Sequence, residues 1–311
     1  MRIAFFGTST FAVPVLALLA RSRHTVTLVV TRPDAEKGRG RKIEASPVAV
    51  LAHELGLPTH KPARVNVPES IEVLRASQPD FIVVVAYGQI LKEPLLSLAP
   101  RGIVNLHGSL LPHLRGAAPI ARAIQRGETT TGVTLQFLKL ELDAGDVIDA
   151  QAMPIRVDDT TGSLTERMAP IAAELLARNL ERLESGTAPR TPQDAARVTF
   201  APPLTKDEGR IDWSVGSAKL RDHVRAMTPW PGAHCMLCVP GKPDERIVLR
   251  KVDLAKGSGA PGTILSASNE FVVATGDGAV RIDRLLRAGK SELDAAAFLR
   301  GFRFTPGTCF S

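Results

Sequence analysis

"DFIVVVAYG", residues 80–88, is an unbroken apolar run closed by a glycine. A strand with one wet face alternates apolar and polar side chains. A run without alternation is buried on both faces, as strands of a helix-covered parallel sheet are. The neighbouring segments follow the same plan. "MRIAFFGTSTFAVPVLALLA" (1–20) reads as a buried strand, a glycine turn and a helix, the opening of a doubly wound unit. "HTVTLVVT" (24–31) is a second β-branched strand. "SPVAVLAHELG" (46–56) is a helix with Ser46 as cap, Pro47 in the first turn and Gly56 at the stop. After the central run come the strand "GIVNLHG" (102–108), a helix from about Pro119 to Arg126, and "TGVTLQFLKL" as a strand over 132–140. A long helix over 164–186, ended by Gly186, completes this part. Strands alternating with helices predict an α/β sheet domain over 1–188.

Residues 189–205 lie in a stretch rich in proline and threonine and read as a linker. From 206 to 311 the pattern changes to one helix and then short strands: "HCMLCV", "RIVLRKVDL", "GTILSAS", "EFVVATGDG" and "AVRIDRLL". Turns roughly every ten residues between short strands predict a small, OB-like β-barrel.

The chain of 311 residues carries 39 Lys+Arg against 32 Asp+Glu, a formal charge of +7. Residues 205–311 hold 16 basic and 12 acidic side chains, so the smaller C-terminal part is the more basic per residue. That balance suits a polyanion such as nucleic acid. No apolar run approaches the roughly 18–20 residues of a membrane span, and no leader precedes the first strand, so a cytoplasmic protein is expected.

Two motifs argue against familiar chemistries. In "FFGTSTFA" only Gly7 stands where a dinucleotide fingerprint wants three glycines; Ser9 and Ala12 occupy the other places, so no nicotinamide cofactor is expected. Cys235 and Cys238 have metal-pair spacing, but no second pair follows. Their apolar strand-like setting makes them packing thiols, and no metal is expected.

Asn105 and His107 interrupt an apolar strand and, two apart, point to the same face. In open α/β sheets ligands bind beyond the carboxyl ends of the strands. An amide donor beside an imidazole can hold a developing oxyanion while protons move. The same pair can also be satisfied by backbone groups at a strand end. In "ELDAGDVI" (141–148), Asp143 follows the next strand within a glycine turn; a carboxylate there can reach the histidine, or simply fix an Asx turn.

"NLHGSLLPHLRGAAPIARAI" followed by "TGVTLQFLKLELDAGDVI" closely resembles the folate-dependent formyltransferases, which carry Asn, His and an SLLP loop and then an Asp beside a glycine. The resemblance implies a Rossmann-like, parallel-rich formyltransferase domain with Asn105, His107 and Asp143 as the catalytic trio. It implies 10-formyltetrahydrofolate as cosubstrate, in a slot formed by Ala86, Tyr87, Gly88, Ile90 and Leu91 on one side and Ser109, Leu110, Leu111 and Pro112 on the other. "VTRPDAEKGRGRKIEASPVAVLA" (30–52), "AYGQIL" (86–91), "RIDW" (210–213), "PWPGA" (229–233) and "ATGDGAVRI" (274–282) resemble the branch of the family that acts on methionyl-tRNA. The likeness then covers nearly the whole chain. It implies formylation of the α-amino group of initiator methionyl-tRNA for translation initiation. Lys37, Arg39, Arg41 and Lys42 and the barrel would meet the acceptor stem, with neither DNA nor membrane as partner.

Lys139 and Glu141 stand where the family commonly has an acidic residue and a glycine, and His113 where it more often has Arg. These departures touch the folate loops and leave the trio intact. Two rivals stay open at this point. One is a formyltransferase for small amines, such as a sugar or nucleotide. The other is a non-catalytic RNA-binding protein.

Overall fold

The computed structural model describes residues 1–37, 42–302, 304 and 307–311. It divides into two compact units. The first comprises Met1–Pro119, Thr130–Pro154 and Leu164–Pro202; the second comprises Ile120–Thr129, Ile155–Ser163 and Pro203–Ser311.

The first unit is built on β1 (Arg2–Gly7), β2 (Thr25–Val30), the hairpin β3 (Ala35–Lys37) and β4 (Lys42–Glu44), β5 (Thr59–His60), β6 (Phe81–Val85), β7 (Ile103–His107), β8 (Thr130–Phe137) and β9 (Val147–Pro154). The main sheet runs β5-β2-β1-β6-β7-β8-β9. Its pairs are parallel from β5 to β7 and antiparallel at β7–β8 and β8–β9. The sequence expectation of a parallel-rich α/β sheet holds. Every residue of β6 is buried, because its valines pack into apolar layers on both faces. One layer gathers Phe6, Val30, Ile82, Val84, Tyr87 and Leu91.

Several helices form for the reasons visible in sequence. In α1 (Val13–Arg21) the apolar face is buried through Val15, Leu16 and Leu19. At the start of α2 (Pro47–Glu54) the Ser46 hydroxyl accepts the Ala49 N–H at 3.0 Å. Gly7 at the β1 turn is a packing necessity, since a Cβ there would lie 2.7 Å from the Phe5 ring and 2.9 Å from the Ala12 methyl.

Three boundaries differ from expectation. The strand placed at 132–140 runs Thr130–Phe137; after it the chain turns, and Lys139 and Leu140 lie outside the sheet. The single helix over 164–186 is two, one over Thr161–Ala177 and one over Leu180–Ser185. Between them the Asn179 amide is spent on the Leu175 carbonyl at 2.8 Å and the Asp149 carboxylate at 2.7 Å. Gly186 ends the second helix in the left-handed region (φ 74°), as a C-terminal glycine should. β9 is new: as an edge strand with mixed exposure it lacks the alternation by which a strand is recognised.

The second unit holds an antiparallel sheet in the order β12-β13-β14-β11-β10-β16, with β15 beside β14. These strands are β10 (Ala233–Cys238), β11 (Glu245–Ala255), β12 (Ile264–Ala267), β13 (Phe271–Ala274), β14 (Ala279–Arg287), β15 (Glu292–Asp294) and β16 (Cys309–Phe310). Thr263, next to β12, bridges Cys309 of β16, so the sheet nearly closes into the barrel expected. β10 alternates buried and half-buried residues, as one-sided burial requires. Trp213 stacks on Phe310 with ring centroids 5.3 Å apart, and Phe271 packs against Phe298 at 5.7 Å. Cys235 is buried there, and burial pushes its thiol far above the usual range. No helix among the described residues is long and apolar enough to cross a membrane.

Candidate active site

Asn105 and His107 lie in the last three residues of β7; Asn105 pairs with Val84 of β6 on one side, and Asn105 and His107 pair with Gln136 and Thr134 of β8 on the other. This is the carboxyl end of the parallel strands, where such sheets bind ligands. His107 is 6% exposed. Its Nε2–H donates to the Leu114 carbonyl at 2.8 Å, which fixes the ring and leaves Nδ1 toward the Asp143 Oδ2, 3.6 Å away. Leu114 itself lies in the left-handed region (φ 60°), a conformation a leucine keeps only when its surroundings dictate it.

Asp143 is the point of convergence. Its Oδ1 accepts Asn105 Nδ2 at 3.3 Å and Gln136 Nε2 at 3.2 Å, and its Oδ2 accepts the Gly116 N–H at 2.8 Å. The residue has φ 49°, so the loop after β8 turns back toward β7 there. Gly145 permits the turn: a Cβ on it would lie 1.6 Å from the Phe137 carbonyl oxygen. The expectation that this carboxylate reaches the histidine's neighbourhood across one strand is met, and the three side chains stand together.

The Ser109–Pro112 loop is tied down from β8. Thr134 Oγ1 donates to the Ser109 carbonyl at 2.7 Å and accepts the Leu111 N–H at 3.0 Å; Ser109 Oγ donates to the His113 carbonyl at 2.5 Å. Ser109 and Pro112 are buried, whereas Leu110 and Leu111 keep half-exposed apolar faces. At the end of β6, Ala86 (φ 45°) and Gly88 (φ 88°) take left-handed conformations and are exposed, and Ile90 is 67% exposed. Tyr87 and Leu91 point the other way, into the core layer. Tyr87 packs edge-on to Phe6 at 5.2 Å, and burial pushes its phenol up to about 12. Of the residues expected to bind the cosubstrate, Tyr87 and Leu91 are therefore core side chains, 2% and 4% exposed.

The three departures have local partners. Lys139 Nζ lies 2.7 Å from Asp146, Glu141 3.2 Å from Arg115 Nη1, and His113 Nε2 3.4 Å from Arg197 Nη2. Of the basic set, Lys37 and Lys42 are paired across the β3–β4 hairpin, and Arg39 and Arg41 lie outside the described residues.

Sequence reasoning missed four residues of this network: Gln136, Leu114, Arg115, whose guanidinium donates to Gln193 Oε1 at 3.1 and 2.8 Å, and Gln193, whose Nε2 donates to the Asp143 carbonyl at 2.7 Å. Gln136 had a usable signal, a glutamine breaking the apolar run "GVTLQF" just as Asn105 breaks its own. The others act through a carbonyl, a guanidinium and an amide in irregular chain, where no periodicity marks them.

The formyl transferase family model matches residues 1–180, and the model of the formyl transferase C-terminal domain matches 203–303. The chain is 44% identical over 308 residues to a protein of Citrifermentans bemidjiense named methionyl-tRNA formyltransferase, covering 99% of this chain and 95% of that protein. It is 43% identical over 308 residues to one of the same name from a Methylobacterium species, covering 99% and 98%. Among solved structures, it resembles HypX from Aquifex aeolicus in complex with tetrahydrofolic acid, with TM-score 0.64 at 22% identity over 96% of this chain and 47% of that one. It also resembles WlaRD, a sugar 3N-formyl transferase, with TM-score 0.68 at 17% identity over 94% and 99%. These two structures share the fold.

Proposed function

The chain belongs to the formyl transferase family through both of that family's domains, and on this premise we propose that it formylates the α-amino group of methionyl-tRNA, with 10-formyltetrahydrofolate as donor. The observation that carries the reading is the meeting of Asn105, His107 and Asp143 at one strand end, in a chain whose likeness to enzymes of that activity runs through both domains. The chain is thus a one-carbon group transferase serving translation initiation.

When bound, the donor supplies the formyl group; the residues around it supply charge and proton handling. The attacking amine drives negative charge onto the formyl oxygen. Asn105 Nδ2 carries two hydrogens; with one on Asp143, the other is the donor we assign to that oxygen. One such donor contributes about 3 kcal/mol to the transition state. With Nε2 held by Leu114, Nδ1, which also lies 3.6 Å from Asp143 Oδ2, is the ring nitrogen we assign to the same oxygen. Asp143 holds both partners and takes part in relaying the amine proton toward the donor nitrogen, which would leave as its bond to the formyl carbon breaks. Leu110, Leu111, Ala86, Gly88 and Ile90 would hold the pterin, with Ser109, Pro112, Tyr87 and Leu91 setting the backbone around them.

Lys37, Arg39, Arg41 and Lys42, with the basic C-terminal barrel, are assigned to the acceptor stem, whose phosphates match their charge. RNA rather than DNA is the polyanion, and the cytoplasm is the compartment in which initiator formylation runs. The test is transfer of labelled formyl to methionyl-tRNA, free methionine and amino sugars in parallel. Selective labelling of methionyl-tRNA is expected. Preference for an amino sugar would assign the chain to a small-amine branch, and no transfer to any acceptor would leave an RNA-binding protein.

A further inference from the structure

Resting on that reading, we propose that Gln193, from the stretch after the catalytic sheet, is a positioning residue for formyl transfer: it holds the Asp143 turn in its working conformation. The segment carrying it is stapled to the sheet on both sides. Thr191 and Val147 exchange backbone hydrogen bonds of 2.8 and 2.9 Å, and Arg115 exchanges bonds of 2.9 and 2.7 Å with Thr199 and Ala201. Between these staples the Gln193 side chain reaches the site.

The amide is oriented by its neighbours. Its Oε1 accepts Arg115 Nε at 3.1 Å and Nη2 at 2.8 Å, and a guanidinium can only donate. Its Nε2 therefore faces three oxygens: the Asp143 carbonyl at 2.7 Å, the Gly145 carbonyl at 2.8 Å and Gln136 Oε1 at 3.2 Å. Gln136 in turn donates to Asp143 Oδ1 at 3.2 Å. The turn needs such support, because Asp143 is left-handed and Gly145 packs with no room for a Cβ. Gln193 grips the backbone on both sides of residue 144 and, through Gln136, the carboxylate itself. It touches neither the amide of Asn105 nor the ring of His107, so it acts through Asp143. The same segment supports the other half of the trio: Thr199 Oγ1 accepts the Leu114 N–H at 2.9 Å, and the Leu114 carbonyl holds His107.

The experiment compares Gln193→Met, Gln193→Glu and the double variant Gln193→Met/Asp143→Ala with wild type and Asp143→Ala. Methionine keeps the bulk without the hydrogen bonds. Glutamate keeps the acceptor for Arg115 but sets an oxygen against the two carbonyls. Both single variants are expected to lose roughly 10- to 100-fold in kcat, the size couplings within one network reach, with KM for methionyl-tRNA and for the folate within about threefold. In the double variant, Gln193→Met is expected to add no more than about twofold to the loss from Asp143→Ala, because its effect passes through that residue.

A Gln193→Glu enzyme at wild-type kcat would overturn the proposal, showing that only the tether to Arg115 matters. Losses that multiply in the double variant, or a raised KM at unchanged kcat, would also overturn it. Absence of transfer by wild type would overturn the functional reading and this inference together; an active wild type with unaffected variants would overturn this inference alone.

Discussion

The carboxyl ends of β6 and β7 lie side by side, Val85 paired with Leu106, and they finish in opposite ways. β6 runs into an apolar loop whose backbone is pinned from outside. Thr8 Oγ1 donates to the Tyr87 carbonyl at 2.8 Å, Arg32 Nη1 to Gly88 at 3.0 Å, and Asn66 Nδ2 to Ile90 at 2.8 Å. β7 ends in polar side chains that hold one another through Asp143. Both ends use left-handed residues, Ala86 on one side and Leu114 and Asp143 on the other. The difference teaches that the apolar end presents a surface while the polar end presents directed groups. Damage to the first should change how tightly the donor is held, and damage to the second should change how fast formyl moves.

The largest effects belong to the polar end. His107→Ala and Asp143→Ala should each lose about 100-fold or more in kcat, as loss of preorganised charge stabilisation does, with tRNA affinity changed by no more than a few-fold. Steady-state kinetics with a filter-binding control check this, and near-wild-type turnover in either variant would remove it from the chemistry. Asn105→Asp should be slower than Asn105→Ala, because it sets a second carboxylate beside Asp143 Oδ1 and a like charge against the developing oxyanion. An equal or milder loss would make the asparagine structural.

On the apolar end, Gly88→Ala forces an L-residue to φ 88°. It should weaken donor binding by about tenfold, the worth of roughly 1.4 kcal/mol, with kcat at saturation unchanged; fluorescence titration of the folate reads this. The Arg39→Ala/Arg41→Ala double variant should leave donor affinity unchanged. It should flatten the log–log salt dependence of tRNA binding by about 0.7–0.9 for each phosphate that is no longer neutralised. An unchanged salt slope with unchanged kcat/KM would remove Arg39 and Arg41 from tRNA binding.

The smallest effect concerns stability. Burial raises the Asp149 carboxyl, but hydrogen bonds from Arg178 and Asn179 outweigh it and hold the group below its usual range. A depressed carboxyl stabilises the fold above its unfolded value, near pH 4, and that contribution fades as pH falls through the folded value. Asp149→Asn should therefore lower Tm modestly at pH 7, by the ~1 kcal/mol or less of a part-exposed pair, and much less near pH 3. Thermal melts at the two pH values test it; an equal loss at both would show that charge plays no part.

How much of this was legible follows from the same contrast. Burial on both faces shows in a run such as "FIVVV", and alternating strands show the barrel, so the fold classes were readable. Asn105 and His107 were readable as polar breaks in an apolar strand. The β6 loop was not, because an apolar slot and an apolar core use the same residues; Tyr87 and Leu91 prove to be core, and only the resemblance marked their neighbours. Gln193 was invisible for another reason. Its role depends on a chain reversal that brings residues 136, 143, 145 and 115 around one amide, and no local pattern encodes that meeting.

The most direct measurement is single-turnover transfer to methionyl-tRNA at saturating donor and acceptor, with Asp143→Ala and Gly88→Ala beside the wild-type protein. On the proposed division, in which the polar corner does the chemistry and the apolar end only holds the donor, Gly88→Ala should regain the wild-type rate while Asp143→Ala stays slower by about 100-fold or more. Recovery of Asp143→Ala at saturation, or an equal shortfall in both variants, would contradict that division.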